Sequence, residues 1–161
     1  MFEHLLREID KVKRRLDYST RAEVPRPFSG ARAIAATQSI PNTTWTAINY
    51  ASSEVFDTHG MHDLITNPNR FTIVTPGYYL MIGEVTWAIS GATPHISNSI
   101  YLNTTTLLAT TAHYFASSAE IHIQVSTIYY LVAGNWIDLA VWHNTGSARD
   151  ASGTFSIGRI G

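Results

Sequence analysis

The segment FDTHGMHD, Phe56 to Asp63, crowds two carboxylates and two imidazoles into one short stretch. Asp57, His59, His62 and Asp63 are of the ligand types that divalent metals accept. The plainer reading is a polar turn, in which aspartate caps backbone amides and Gly60 supplies a positive φ. The spacing matches no metal motif, and no further residues in the pattern would orient the ligands. We therefore expect no metal and no cofactor. The seven histidines, His4, His59, His62, His95, His113, His122 and His143, are scattered, and none forms a recognisable arrangement with serine and aspartate. There is no phosphate-binding loop, dinucleotide fingerprint, nucleophile elbow or zinc-protease motif. Nor do the few acidic residues offer a paired-carboxylate site for cleaving glycans. The expectation is a protein that is not an enzyme.

Aromatic side chains offer a second kind of chemistry. Trp87, Trp136, Trp142, Tyr114 and Phe115 are candidates for stacking on sugars. In NWIDLAVWHN the alternation sets Ile137, Leu139 and Val141 on one face, and Trp136, Asp138, Ala140 and Trp142 on the other. Outward tryptophans suit glycan binding or a contact between subunits. The second is preferred, because an apolar outer face on a body with few charges already implies association.

The elements that must position these residues are strands. From Ala31 onward, short runs rich in Thr, Ile, Val and Tyr alternate with clusters of Gly, Asn, Pro and Ser. The pattern predicts strands near 31–38, 44–51, 54–57, 70–75, 78–89, 97–103, 106–115, 120–132, 135–143 and 154–160. That spacing makes an antiparallel sandwich or jelly roll. The chain of 161 residues is 45% apolar, enough for one domain with a core and an appendage.

The appendage is N-terminal. Phe2, Leu5, Ile9, Val12 and Leu16 follow the a/d spacing of a coiled coil. About two heptads are marginal alone, so residues 1–17 are expected to bundle with copies of themselves or dock on a partner. Pro25 and Pro27 stop the helix and make 18–30 an extended arm. The body then spans 31–161. Residues 1–27 hold 7 of the 11 Lys and Arg, leaving the body four arginines against seven carboxylates. A monomer normally carries more charge for solubility.

The net charge of −1 gives no case for nucleic acid or anionic lipid, and no apolar run has the length to insert in a membrane. With no cysteine, disulfides and thiol chemistry are excluded. The opening MFEHLLREIDKVKRR is too charged for a secretory signal, so the sequons at Asn42 and Asn103 carry no expectation of glycan.

Two long strands have no fully polar face. In PGYYLMIGEVTWAIS one face is Tyr79, Met81, Gly83, Val85, Trp87 and Ile89, and the other starts with Tyr78, Leu80 and Ile82. In EIHIQVSTIYYLV the second face runs His122, Gln124, Ser126, Ile128 and Tyr130, polar at one end and apolar at the other. The simplest cover is the same patch on other copies about a symmetry axis.

The body resembles the complement-1q/tumour-necrosis-factor-like jelly roll. Leu64, Phe71, Gly77 and Tyr79 fall at that family's signature spacings, and TFSIGRIG, containing Phe155, looks like its closing strand. Met81 and Gly83 replace signature aromatics, His59 stands where Asn or Asp is usual, and Ser53 where Phe is usual. QSIPNTTWTAINY, FDTHGMHD and STIYYLVAGNWIDLAVWHNTG further resemble small members of this superfamily from tailed bacteriophages. The resemblance implies a ten-stranded homotrimer whose long strands face the threefold axis. Tyr78, Leu80, Ile82, His122, Gln124, Ile128 and Tyr130 would then line the interface. His122 would converge from three copies, where it could meet an anion, a water or a metal, or simply bond to Gln124.

The functional expectation is a structural protein on the virion surface, made in the host cytoplasm. It would be of capsid-decoration or head-fibre type, held to another virion protein through residues 1–30 and contacting host glycan or protein. A receptor-binding tip of a tail fibre or baseplate is the first alternative, and a cellular adhesion or signalling module the second.

Overall fold

The computed structural model describes residues 28–88, 95–114 and 120–160. The expected helix with Phe2, Leu5, Ile9, Val12 and Leu16, and most of the arm, lie outside the described residues. Within them the chain forms ten strands: β1 (Gly30–Ile40), β2 (Thr46–Ala47), β3 (Ser53–Asp57), β4 (Phe71–Thr72), β5 (Gly77–Ala88), β6 (His95–Leu102), β7 (Thr106–Tyr114), β8 (Glu120–Leu131), β9 (Trp136–His143) and β10 (Arg149–Arg159). They make two antiparallel sheets. The first has the order β3-β1-β10-β5-β8, and the second β2-β9-β6-β7, with β4 also pairing on β9. This is a jelly-roll sandwich.

Alternation decides what each strand buries. In β5, Tyr79, Met81, Val85 and Trp87 are wholly inside, with Phe155 and Ile157 beside them on β10. From the second sheet come Ile96, Ile100, Ile137, Leu139 and Val141. Small side chains make the sheets fit. Ala31, Ala33 and Ala35 line the inner face of β1. A Cβ at Gly83 would stand 2.9 Å from both methyls of Leu139 and 3.3 Å from the Phe155 ring. The missing aromatic at Gly83 is thus space taken by Leu139. Gly83→Ala should overpack this site and lower unfolding free energy by about 1–3 kcal/mol in urea titrations.

One buried polar residue joins the sheets. Asn98, fully buried on β6, donates to the Ile123 carbonyl at 3.0 Å and accepts from the Trp87 indole at 3.4 Å. Its inward position follows from satisfied hydrogen bonding, since a buried amide needs partners.

Several expectations are corrected. The run at 44–51 is a strand only at Thr46–Ala47, and that at 70–75 only at Phe71–Thr72. Both lie end to end along β9, whose length they share. The last strand starts at Arg149 rather than 154, because beyond a bulge in β1 it continues to pair with Gln38, Ser39 and Ile40. Leu64, expected in the core, lies at the surface of the loop between β3 and β4, whereas Met61 and Ile73 are buried. The chain turns at Asp63, so the next side chain points away from the core.

Candidate functional site

The outward side of the first sheet is the most distinctive surface among the described residues. Register places Tyr78 opposite Tyr130, Leu80 opposite Ile128, Ile82 opposite Ser126, Glu84 opposite Gln124, and Thr86 opposite His122. The expected interface residues thus share one face. Its lower half is apolar: Tyr78 is 56% exposed, Ile128 57%, Tyr130 50% and Leu80 37%. Tyr78 and Tyr130 pack edge to face at 5.3 Å. Phe28, Ile160 and, from β3, Phe56 extend the patch, and with Leu80, Ile82 and Ile157 they line a groove of about 180 Å³. Contiguous exposed apolar surface of this kind marks an interaction site in soluble proteins.

The other half is polar and built around His122. Its Nδ1 lies 2.9 Å from the Thr86 hydroxyl and 3.7 Å from Glu84 Oε1, and its Nε2 lies 3.3 Å from Glu120 Oε1. The ring is therefore held among Thr86, Glu84 and Glu120, rather than on Gln124.

The 56–63 segment leaves the end of β3 and turns. Asp57 accepts the His59 amide at 3.1 Å and the His62 amide at 2.8 Å. Asp63 accepts the amides of Ile65 and Thr66 at 2.8 and 2.9 Å, and the backbone bonds from Thr66 and then Ile65 hold its carboxyl below the usual carboxylate range. Gly60 has φ of 64°. His59 meets the Thr58 hydroxyl at 2.9 Å. His62 is turned inward, stacked on Phe71 at 4.7 Å, donating from Nε2 to the Pro68 carbonyl at 3.0 Å and facing Glu54 at 3.3 Å. Among the described residues no group of three or more His, Asp or Glu is placed to hold a metal ion. The carboxylates considered as ligands serve the backbone instead.

The tryptophans also have uses within the chain. Trp87, considered as a sugar platform, is fully buried and packs edge-on against His143 at 5.4 Å. Trp136 lies beneath the Arg70 guanidinium at 4.7 Å and donates to Thr104 at 3.2 Å. Trp142 joins a ladder across the outer face of the second sheet: Tyr114 stacks on His95 at 4.4 Å, His95 meets Trp142 at 5.3 Å, Trp142 meets Trp45 at 6.4 Å, and Trp45 meets Tyr101 at 6.0 Å. Phe115 lies outside the described residues. Trp45, absent from the expected set, is 47% exposed. Its position could have been found only from the pairing of β2 with β9. The side chains of Asn42 and Asn103 are occupied too, accepting the amides of Gly146 and Trp136, each at 2.9 Å.

Asp138 is an unexpected buried acid at 1% exposure, accepting from the Thr104 hydroxyl at 2.9 Å. Burial raises its pKa above the carboxylate norm, against the opposing hydrogen bond from Thr104 and the charge of Arg70. A raised folded pKa means that its contribution to stability is full below the unfolded value and is lost as pH rises through the folded one. Asp138→Asn, which keeps an acceptor for Thr104, should therefore raise the melting temperature at pH 7. The gain over wild type should vanish in acid, where Asp138 is protonated, as a pair of calorimetric pH series would show.

No protein-family model and no curated protein matches the sequence. Solved structures do match in fold. The globular domain of zebrafish complement 1qA protein aligns with a TM-score of 0.60 at 9% identity, covering 80% of this chain and 94% of that one. Murine APRIL aligns with a TM-score of 0.59 at 12% identity, covering 83% of this chain and 99% of that one.

Proposed function

We propose that the chain is the subunit of a homotrimer that attaches and adheres without catalysing a reaction, carried on the surface of a tailed-phage virion as a decoration or head-fibre protein. The observation that carries this reading is the open apolar half of the first sheet: Tyr78, Leu80, Ile128 and Tyr130 stand outward from a core that is already complete. The occupant of such a face is another copy, because β5 and β8 present it as a flat, low-charge strip suited to meeting itself about an axis. The complement-1q/tumour-necrosis-factor likeness supports three copies rather than two.

With the first sheets turned inward, the outer faces of the second sheets point away from the axis. Their aromatic ladder, which includes the exposed Trp45 and Tyr114, is the surface offered to a host glycan or protein. Residues 1–30 are assigned the attachment to the particle. The phage assignment rests on the sequence resemblance alone.

Sedimentation of the full chain at micromolar concentration tests the assembly: a trimer mass is expected, and a monomer would overturn it. Gold-labelled antibody on purified particles tests the location. Label on the capsid supports the decoration role, label at the tail tip replaces it with receptor binding, and no label removes the virion assignment.

A further inference from the structure

The polar half of the same face has a composition that the apolar half does not require. Glu84 and Thr86 on β5 and Glu120 and His122 on β8 are outward and mutually close. Asp150 stands at the same end of β10, one residue beyond the Ala151–Trp87 pair, and is exposed. From β10, Ser152 and Thr154 lie opposite Thr86 and Glu84 and bring no charge. On β1, Arg32 lies farther along the face, in the row of Ser156 and Ile82, and Ile34 lies opposite Thr154. Among the described residues, each copy therefore brings three carboxylates and one imidazole to this end of the face.

Protonation changes what the imidazole can do. A neutral ring has one N–H and can donate to one neighbour only, whereas the imidazolium donates from both nitrogens. Here both nitrogens face carboxylates, Nδ1 towards Glu84 at 3.7 Å and Nε2 towards Glu120 at 3.3 Å. In the open chain, water can solvate whichever carboxylate is left without the proton. Bringing copies together removes that water and places like charges near one another, which costs free energy unless the histidine carries its own charge. Charge-assisted bonds also strengthen as the surroundings dry.

We propose that self-association through this face takes up protons at the His122–Glu84–Glu120 cluster, so that assembly tightens as the solution passes from mildly alkaline to mildly acidic. Histidine is the side chain that ordinarily titrates in that interval. The inference rests on the assembly reading above and adds to it a direction of pH control.

Uptake of one proton per trimer changes the association constant about tenfold per pH unit, which for a three-body equilibrium moves the half-assembly concentration about threefold. The test is sedimentation of the full chain at several pH values between about 8 and 5.5. Wild type, His122→Gln and the double variant Glu84→Gln/Glu120→Gln are compared, with circular dichroism verifying each fold. Where wild type stays assembled at every accessible concentration, the rate of subunit exchange between labelled pools replaces the midpoint. The expected result is a half-assembly concentration, or an exchange rate, that falls at least threefold for each unit by which the pH is lowered in wild type. His122→Gln should flatten the dependence, and the double glutamine variant should assemble better than wild type at pH 8. Assembly with the same midpoint at all pH values overturns the inference and leaves the trimer intact. So does a His122→Gln variant that retains the full slope. Absence of assembly at every pH overturns the trimer itself, and the inference falls with it.

Discussion

On the proposed assembly, replacing both Leu80 and Ile82 with aspartate should yield a folded monomer at micromolar concentration where wild type is expected to be a trimer. The two side chains sit on consecutive outward positions of β5, opposite Ile128 and Ser126. Neither belongs to the buried core, in which Tyr79, Met81 and Val85 occupy the alternate positions. The substitution therefore alters the open face while leaving the sandwich interior unchanged. Each apolar side chain withdrawn from the interface forfeits up to about 1.5–3 kcal/mol. Each carboxylate that assembly would bury adds several kcal/mol of desolvation, and around a threefold axis both losses recur in every copy. Since 1.4 kcal/mol is about tenfold in affinity, the sum removes any micromolar assembly. Light scattering gives the mass, and near-ultraviolet circular dichroism shows whether the core aromatics keep their packing. A variant that remained trimeric with native packing would move the interface to another face, with the aromatic ladder of the second sheet the next to test.

Deleting residues 1–27 should separate folding from attachment. Among the described residues the buried core, from Ala31 to Ile157, is closed by the two sheets themselves. The truncated chain should therefore melt within a few degrees of the full one and keep its assembly state. On the proposed function, it should be lost from particles. Apolar positions such as Leu5 and Ile9 would each contribute about 1.5–3 kcal/mol on docking. Three chains attached together would multiply that effect through effective concentration. Occupancy measured by quantitative gel analysis of purified virions should fall at least tenfold. Normal occupancy would make the jelly-roll body itself the attachment surface.

The sequence by itself determined the class of fold and the boundaries of its longest strands. Strand β5 was expected at 78–89 and spans Gly77–Ala88, and β8 was expected at 120–132 and spans Glu120–Leu131. Both are long, β5 alternates along its whole length and β8 over its first half, and a period of two is written in local sequence because successive side chains must face opposite ways. The same periodicity gave Tyr78 and Leu80 on one strand, and Ile128 and Tyr130 on the other, a second face that is partly apolar, and the register of β5 with β8 joins the two. The turn at Asp57 to Asp63 was also legible, since aspartate and glycine act there on amides a few residues away.

Tertiary structure decided whatever depends on distant neighbours. Alternation puts Trp87 on the same side as Tyr79, but only the second sheet, with Asn98 and His143 against the indole, makes that side the interior. Leu64 and Met61 are equally apolar, and the direction of one loop chose Met61 for the core. The ladder from Tyr114 to Tyr101 needs β2, β6, β7 and β9 side by side, so residues as far apart in number as Trp45 and Trp142 had to be brought together first. The cluster at His122 arises in the same way. Glu84 and Thr86 reach it because β5 and β8 are antiparallel in that register, a relation set by the closure of the whole sheet.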